Sequence, residues 1–219
     1  EPCEVGGLKL RGKVDRVDTC GKKMVVIDYK TGKTSSETSY AHIFYGEKIQ
    51  PYVYLKALSE KGYLPAGAVY LPLTDGYSKN GADYRYNGQF EKSLQTFSEL
   101  DIAFGEAIKN KSKESCSVFK VKTDTKNGGF YLSPDTNLLT REEFYRFCDY
   151  ADSLIRKAAE EIRSGYIAPS PLKTGQTLSC TYCPYVSLCE EEKREIRVAE
   201  KTSKYNILDA IPCSGGGND

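Results

Sequence analysis

The chain has 219 residues, eight cysteines and a formal net charge of +1. This length is sufficient for a hydrophobic core without cross-links. The balanced charge excludes a globally basic nucleic-acid-binding protein, so any nucleic-acid contact must be local. No apolar run reaches transmembrane length and no signal peptide is recognisable, which predicts a cytoplasmic protein. One local concentration of cations is typical of a solvated strand face: Lys9, Arg11, Lys13, Arg16, Lys22 and Lys23.

Two strands joined by a short turn are the first predicted elements, over residues 8–18 and 23–30. Side chains of a strand alternate between faces, so Asp28 and Lys30 share one face. Uncompensated charges cost free energy in the interior of a sheet. A divalent metal ion between Asp15 and Asp28, with Lys30 beside it, would neutralise them.

The central part of the chain is predicted to alternate between helices and strands. Residues 31–45 have the composition of a polar loop, residues 47–61 have helical spacing, and residues 66–73 have the pattern of a strand. This order predicts a mixed sheet with a helix on one face. Further predictions are a short strand at 84–86, a turn at Asn87-Gly88, partly helical structure at 90–110 and a surface excursion at 111–127.

A long helix is predicted after residue 140. Thr140 as N-cap and Glu143 at the third helical position form a capping box, and the helix should run to about Ser164 and stop at Gly165. Cys148 falls in its apolar stripe and is expected in the core. Residues 190–201 are predicted to be helical and residues 212–219 to be disordered.

Three cysteines near the C-terminus, Cys180, Cys183 and Cys189, have the spacing of metal ligands and not that of disulfide partners. Thiolates are suitable ligands for zinc or for an iron–sulfur cluster. A zinc site, a fortuitous disulfide and free thiols remain the alternatives.

The acidic residues of the first two strands favour a different metal. Mg²⁺ prefers oxygen ligands and keeps several waters, so Asp15, Asp28 and one backbone carbonyl would be a sufficient protein contribution. Such a site can hydrolyse a phosphodiester. Lys30 would orient the attacking water and stabilise the developing charge.

Three motifs together resemble a known family: Gly12-Lys-Val-Asp15, Asp28-Tyr-Lys30, and Gln50 followed four residues later by Tyr54. They resemble the RecB-like branch of the PD-(D/E)XK nuclease superfamily. The resemblance continues to the cysteine triplet and covers nearly the whole chain. Within the branch, the chain is most similar to the C-terminal nuclease domains of the AddB family.

The resemblance implies an α/β fold, with a restriction-endonuclease-like mixed central sheet flanked by helices. The implied nuclease core spans residues 1–175, followed by a cysteine-cluster appendage at 176–200 and a flexible tail at 201–219. The implied function is that of a metal-dependent DNA exonuclease domain in an AddAB-type helicase–nuclease. Such enzymes resect double-strand breaks for recombinational repair, acting on linear ends and single strands with an AddA-like helicase partner.

The resemblance also assigns residues. The catalytic set would be Asp15, Asp28, Lys30, Gln50 and Tyr54. The ligands of Mg²⁺ or Mn²⁺ would be Asp15, Asp28 and the backbone carbonyl of Tyr29. The ligands of a 4Fe–4S cluster would be Cys180, Cys183, Cys189 and a fourth cysteine far upstream.

Two departures from the family pattern concern these ligands. Cys3 lies nearly on the first strand and does not match the upstream cysteine, so we expect the cluster to be incomplete or absent in this chain. The metal-binding histidine of the family precedes the first strand, whereas the sole histidine, His42, follows Lys30. Because the sequence also starts abruptly at Glu1, we expect an excised domain.

Two other functions fit parts of the pattern. A standalone RecB-like iron–sulfur nuclease of the CRISPR-adaptation type would share the motifs. A non-catalytic DNA-binding scaffold would keep the fold and the cysteines, but it would have no reason to keep Asp15, Asp28 and Lys30 together.

Overall fold

A computed structural model describes residues 3–5, 7–31, 40–73, 85–119, 121–126, 129–132, 137–189 and 195–210. The strands in chain order are β1 (Cys3–Val5), β2 (Leu8–Leu10), β3 (Arg16–Cys20), β4 (Lys23–Lys30), β5 (Leu64–Pro72), β6 (Asn87–Glu91), β7 (Thr123–Lys126), β8 (Gly129–Leu132), β9 (Leu138–Leu139), β10 (Leu172–Thr174), β11 (Thr177–Leu178) and β12 (Arg197–Ala199). The helices are α1 (Tyr40–Phe44), α2 (Gln50–Ser59), α3 (Leu94–Leu100), α4 (Ile102–Lys109), α5 (Arg141–Ser164) and α6 (Lys204–Ala210).

Five strands form the central sheet in the order β3-β4-β5-β6-β9. The β4–β5 and β6–β9 pairs are parallel, and the β3–β4 and β5–β6 pairs are antiparallel. Helices cover both faces of this sheet. The predicted fold class, a mixed central sheet flanked by helices, is therefore confirmed.

Strand β4 supplies side chains to two hydrophobic clusters, one on each face of the sheet. Met24 and Val26 pack with residues of α2 and α5, whereas Val25 and Ile27 pack with residues of α3 and α4. The alternation predicted for this strand is confirmed. It places Asp28 and Lys30 at the end of the face that carries α2 and α5.

The single strand predicted over residues 8–18 is wrong, because the structure divides it. Strand β2 pairs with β1 in a separate hairpin, and β3 begins only at Arg16. Between them, Asp15 uses its side chain instead of its backbone to meet β4: Oδ2 accepts a hydrogen bond from the Tyr29 N–H at 3.0 Å. A side-chain hydrogen bond thus replaces the backbone pairing of β3 and β4 at the end of β4, where the candidate site lies.

The predicted turn at Asn87-Gly88 is also wrong, because both residues lie in β6. Gly88 has φ of +155°, and a Cβ at this position would lie 2.2 Å from the Ala68 carbonyl oxygen. The glycine is needed for close approach of β5 and β6, not for a turn. The helical structure predicted within residues 90–110 is confirmed by α3 and α4.

Two further segments differ from the predictions in part. Helix α1 occupies residues within the predicted polar loop, of which residues 32–39 lie outside the described part of the chain. The predicted surface excursion contains β7, which pairs with β8. Of the predicted short strand at 84–86, residue 84 is outside the described residues and Tyr86 forms an isolated bridge with Phe119.

Helix α5 has the predicted bounds and caps. The Thr140 side chain accepts a hydrogen bond from the Glu143 N–H at 3.2 Å, and Glu143 Oε2 accepts one from the Thr140 N–H at 2.7 Å. Gly165 ends the helix with φ of +72°, the left-handed conformation that glycine adopts most readily. Cys148 packs against the core, as predicted.

The C-terminal region forms a small sheet in the order β11-β10-β12. Strand β12 lies within residues 190–201, so the predicted helix is wrong for the described part of that segment. Residues 190–194 and 211–219 lie outside the described residues. Helix α6 lies within the predicted flexible tail, and its Leu208 is buried against the core. No helix in the described ranges combines the length and apolarity needed to cross a membrane.

Candidate active site

Asp28 and Lys30 form an ion pair at the C-terminal end of β4. Lys30 Nζ lies 2.5 Å from Asp28 Oδ2, and the side chains of Lys30 and Asp28 are 30% and 5% exposed. Asp28 Oδ2 is buried, and the ionic contact with Lys30 is the one interaction it makes among the described residues. The lysine compensates the buried charge of the aspartate, and one carboxylate oxygen retains unused capacity to accept.

Asp15 reaches the same end of β4 from the connection before β3. Its Oδ2 atom accepts from the Tyr29 N–H, the backbone group directly after Asp28. A carboxylate has two oxygens and about four acceptor sites, so one hydrogen bond leaves capacity for a cation. The structure therefore brings Asp15 next to the strand segment that carries Asp28 and Lys30.

The Tyr29 carbonyl faces the Asp15 side of β4. The Lys30 carbonyl accepts from the Leu73 N–H at 2.8 Å and so points toward the β5 side. Carbonyls of successive strand residues point in opposite directions, so the Tyr29 carbonyl points the other way. The β3–β4 ladder ends at the Arg16–Ile27 pair, so this carbonyl lies beyond the last paired residue of β3.

These groups are suited to a hard divalent cation. Carboxylate and carbonyl oxygens are the ligands that Mg²⁺ prefers, and the buried charge of Asp28 is a position where a cation is stabilised. Two carboxylates and one carbonyl leave room for water in an octahedral shell. The donor set therefore fits the metal expected from the sequence.

Gln50 and Tyr54 lie one turn apart on α2 and contact the first strand motif. Gln50 Nε2 donates to Tyr54 Oη at 2.9 Å, and Tyr54 Oη donates to the Lys13 carbonyl at 3.0 Å. A Cβ at Gly12 would lie 3.1 Å from the Tyr54 ring. The helix motif thus fixes the backbone two residues before Asp15.

The predicted catalytic residues therefore form a connected arrangement of β4, α2 and the connection before β3. The profile of the PD-(D/E)XK nuclease superfamily matches residues 1–190 of the chain. The chain belongs to the PD-(D/E)XK nuclease superfamily.

Curated B subunits of ATP-dependent helicase/deoxyribonucleases are similar to most of this PD-(D/E)XK chain. The protein from Acetivibrio thermocellus is 29% identical over 84% of the chain. Those from Clostridium kluyveri and Alkaliphilus oremlandii are 28% and 30% identical over 92% of it. The chain spans only 17%, 18% and 19% of these relatives' own lengths.

Sequence reasoning missed one aromatic residue of this PD-(D/E)XK site, Tyr70. Its ring centroid lies 5.3 Å from Lys30 Nζ, and it pairs with Asp28 across the β4–β5 ladder. Its hydroxyl donates to the Lys48 carbonyl at 3.0 Å. Alternation along residues 66–73 puts Tyr70 on the face of Ala68, but only the β4–β5 register places it beside Asp28.

The cysteine triplet lies on a separate segment between β11 and β12. Cys180 is within a 3₁₀ turn, Ser179–Tyr182, and Cys189 follows another, Val186–Leu188. All three cysteines are half-buried. No three His, Cys, Asp or Glu side chains within the described ranges are grouped closely enough to hold a metal ion.

Two other residues weighed as ligands have local partners instead. Cys3 Sγ donates to Glu60 Oε2 at 3.3 Å, and burial, followed by this contact, raises the pKa of its thiol. His42 Nδ1 lies 2.5 Å from Glu47 Oε2, which also accepts from the Thr174 hydroxyl at 3.3 Å. The histidine thus belongs to the contact between α1 and β10. Asp18 accepts two hydrogen bonds from Arg16 at 2.7 and 2.8 Å.

Proposed function

We propose that this PD-(D/E)XK domain is a Mg²⁺- or Mn²⁺-dependent DNA exonuclease that acts on linear ends and single strands. The observation that carries the proposal is that Asp15 accepts a hydrogen bond from the Tyr29 N–H, between the two residues of the Asp28–Lys30 ion pair at one end of β4. An inactive scaffold has no reason to keep Asp15, Asp28 and Lys30 together at one strand end. The proposed metal ligands are Asp15, Asp28 and the Tyr29 carbonyl.

Each residue has a task that follows from its position. A bound divalent ion would supply charge stabilisation at the phosphate and would make a bound water more acidic. Lys30, only partly exposed and next to Asp28, would direct a water toward the phosphate and stabilise the charge that develops on it. Gln50 and Tyr54 would keep the Lys13 carbonyl, and with it the Asp15 backbone, in position.

We further propose that the chain functions as the nuclease part of a longer AddB-type protein. The relatives' names combine a helicase and a deoxyribonuclease with ATP dependence. This sequence contains no Gly-x4-Gly-Lys-Ser/Thr motif for ATP phosphates. An AddA-like helicase partner would then supply the motor, and the site of action would be cytoplasmic. In the longer protein, an upstream cysteine would complete a 4Fe–4S site with Cys180, Cys183 and Cys189.

The proposal is tested by cleavage of end-labelled linear single-stranded DNA with Mg²⁺ or Mn²⁺. We expect metal-dependent cleavage by the wild-type chain and a loss of at least about a hundredfold in Asp15→Asn and Lys30→Ala, because each removes charge stabilisation at the phosphate. Circular dichroism should show that both variants remain folded.

Asp18→Asn is the matched control. It makes the same substitution three residues later, at an aspartate that binds Arg16 outside the site, and the ion pair it removes is partly exposed and weak. Wild-type cleavage by Asp18→Asn is expected. Wild-type cleavage by Asp15→Asn, or an equal loss in Asp18→Asn, would contradict the proposed roles.

A further inference from the structure

A cavity of about 570 Å³ opens beside Lys30, between the connection that follows β2, the start of α2, and α5. Its volume is in the range of small-ligand sites, about 300–1,000 Å³. Arg11, Lys30 and Lys48 line it together with the Tyr54 and Tyr70 rings, and none of the described residues that line it is acidic. Lys30 is already paired with Asp28, so Arg11 and Lys48 provide the positive charge that makes this cavity suitable for an anion with an apolar part.

The cavity is continuous with the candidate active site through Lys30. This side chain contacts Asp28 and also lines the cavity. Asp15 and Asp28 themselves are not among the lining residues. A ligand in the cavity would therefore lie next to the reacting phosphate and would not replace it.

Lys48 has an unusual backbone conformation at the rim. Its φ is +53°, which is uncommon for a residue with a side chain. The Tyr70 hydroxyl donates to the Lys48 carbonyl, and the Tyr70 ring lies under Lys30. One buried tyrosine thus contacts two of the three cationic residues, and a strained conformation kept in this way is a feature of binding sites.

The start of α2 adds to the positive potential. Gln50 opens the helix and lines the cavity, and the N-cap Ile49 provides no side-chain acceptor. The N-terminal end of a helix carries a partial positive charge. This contribution has the same sign as that of the three side chains.

We propose that this cavity binds the nucleotide adjacent to the scissile phosphate, with Arg11 and Lys48 in contact with the DNA backbone. The inference rests on the proposed nuclease function and names two binding residues for it. Arg11 and Lys48 act on affinity for the strand, because both line the cavity and neither belongs to the proposed catalytic set.

The test measures binding of a fluorescein-labelled oligothymidylate by anisotropy in EDTA, where no metal-dependent cleavage takes place. Each phosphate contact contributes about 0.7 to the slope of log K against log salt concentration for single strands. We expect Arg11→Gln and Lys48→Asn each to reduce the slope by about that amount. Asparagine tolerates the left-handed conformation of Lys48, so its charge is removed without new backbone strain.

Lys111→Asn is the matched control, because Lys111 also has φ of +53° and is exposed after α4, away from the cavity. For this variant, the slope of log K against log salt concentration should equal that of the wild type. As an independent variant, Ala158→Glu puts an acid on the cavity wall within helix α5 and should weaken binding at low salt. Both residues are good helix formers, so the fold should persist.

The outcomes separate this proposal from the nuclease proposal. Reduced slopes in Arg11→Gln and Lys48→Asn, with an unchanged slope in Lys111→Asn, support the cavity even if the wild-type chain cuts no DNA. Unchanged slopes in the two cavity variants, an equal reduction in Lys111→Asn, or no binding by the wild-type chain would overturn it, whatever the cleavage assay shows.

Discussion

Asp101 shows how a single buried carboxylate connects separate segments. It is the N-cap of α4, where Oδ1 accepts from the Phe104 N–H at 3.1 Å. Its Oδ2 accepts from the Ser117 N–H and hydroxyl at 2.9 and 2.8 Å. Burial by itself would raise the pKa of Asp101, but these hydrogen bonds together outweigh it and lower the pKa to about 2. The ionised form is therefore the one that stabilises the fold.

This lowered pKa predicts a contribution to stability that depends on pH. The unfolded-state pKa is near 3.8, so the contribution is complete above about pH 4 and is lost as the pH falls toward 2. Its size is at most roughly 2 kcal/mol. Asp101→Asn should be less stable than the wild type at pH 6, and this difference should narrow progressively below pH 4 in urea unfolding experiments.

Glu106→Gln is a suitable comparison for that experiment, because Glu106 is an exposed carboxylate on the same helix, paired with Lys109. At pH 6 this substitution should change the free energy of unfolding by no more than about 0.5 kcal/mol. A difference between Asp101→Asn and wild type that stays constant from pH 6 to pH 2.5 would show that the carboxylate is not ionised preferentially in the folded state.

At the scale of the elements, local chemistry explains which predictions were correct. Strand β4 was predictable because its apolar run and alternation act over adjacent residues. Helix α5 was predictable because Thr140, Glu143 and Gly165 carry cap signals that need no tertiary partner. The break before β3 was not predictable, because it depends on a hydrogen bond between Asp15 and a backbone group 14 positions away.

The same distinction applies to the site. The motifs with Asp15, Asp28, Lys30, Gln50 and Tyr54 were visible in the sequence, and the structure brings them together. Tyr70 and Lys48 carried no signal, because their roles arise from the β4–β5 register and from a contact between β5 and the segment before α2. Neighbours created by strand pairing are the part of a site that a single sequence does not encode locally.

Helix α6 was not predicted, because the contacts that stabilise it come from distant parts of the chain. Lys204 Nζ lies 3.0 Å from Glu143 Oε2 and donates to the Leu138 carbonyl at 3.2 Å. Arg146 donates to the Leu208 carbonyl, and the Leu208 side chain is 5% exposed. The helix is therefore attached to the N-terminal end of α5 by both polar and apolar contacts.

Leu208→Ala should lower the free energy of unfolding by about 2–3 kcal/mol, because it removes buried methyl groups and leaves a cavity. The exposed neighbour Asp209 provides the comparison, and Asp209→Ala should change stability by less than about 0.5 kcal/mol. Chemical denaturation of the two variants beside the wild type measures both values. Equal stability of all three proteins would show that α6 does not contribute to the folded core.

For the whole molecule, the cysteine segment is a region held at both ends by the C-terminal sheet. Strands β11 and β12 both pair with β10 and bracket the segment that carries Cys180, Cys183 and Cys189. The Ser179 hydroxyl accepts from the Leu172 N–H at 3.1 Å, so the start of this segment is held against β10. Its two ends are therefore kept together by protein contacts.

We expect the chain purified without oxygen to contain much less iron than four atoms per molecule, because three thiolates are one fewer than a 4Fe–4S cluster requires. Iron and sulfide analysis, with the absorbance spectrum near 400 nm, measures this directly. Cys180→Ser should not change the thermal unfolding of the chain by more than a few degrees. Four irons per chain, lost in Cys180→Ser, would show that a fourth ligand lies within these 219 residues.

The ion pair at the end of β4 has a consequence for how the site is loaded. Asp28 already has a counter-ion in Lys30, so a divalent ion at the proposed metal site would exchange one positive partner for another. The free-energy gain on binding would be smaller than at a pair of bare carboxylates, because part of the charge is already compensated. The same exchange would weaken the attraction between Asp28 and the Lys30 ammonium group, which would then be available to an incoming phosphate.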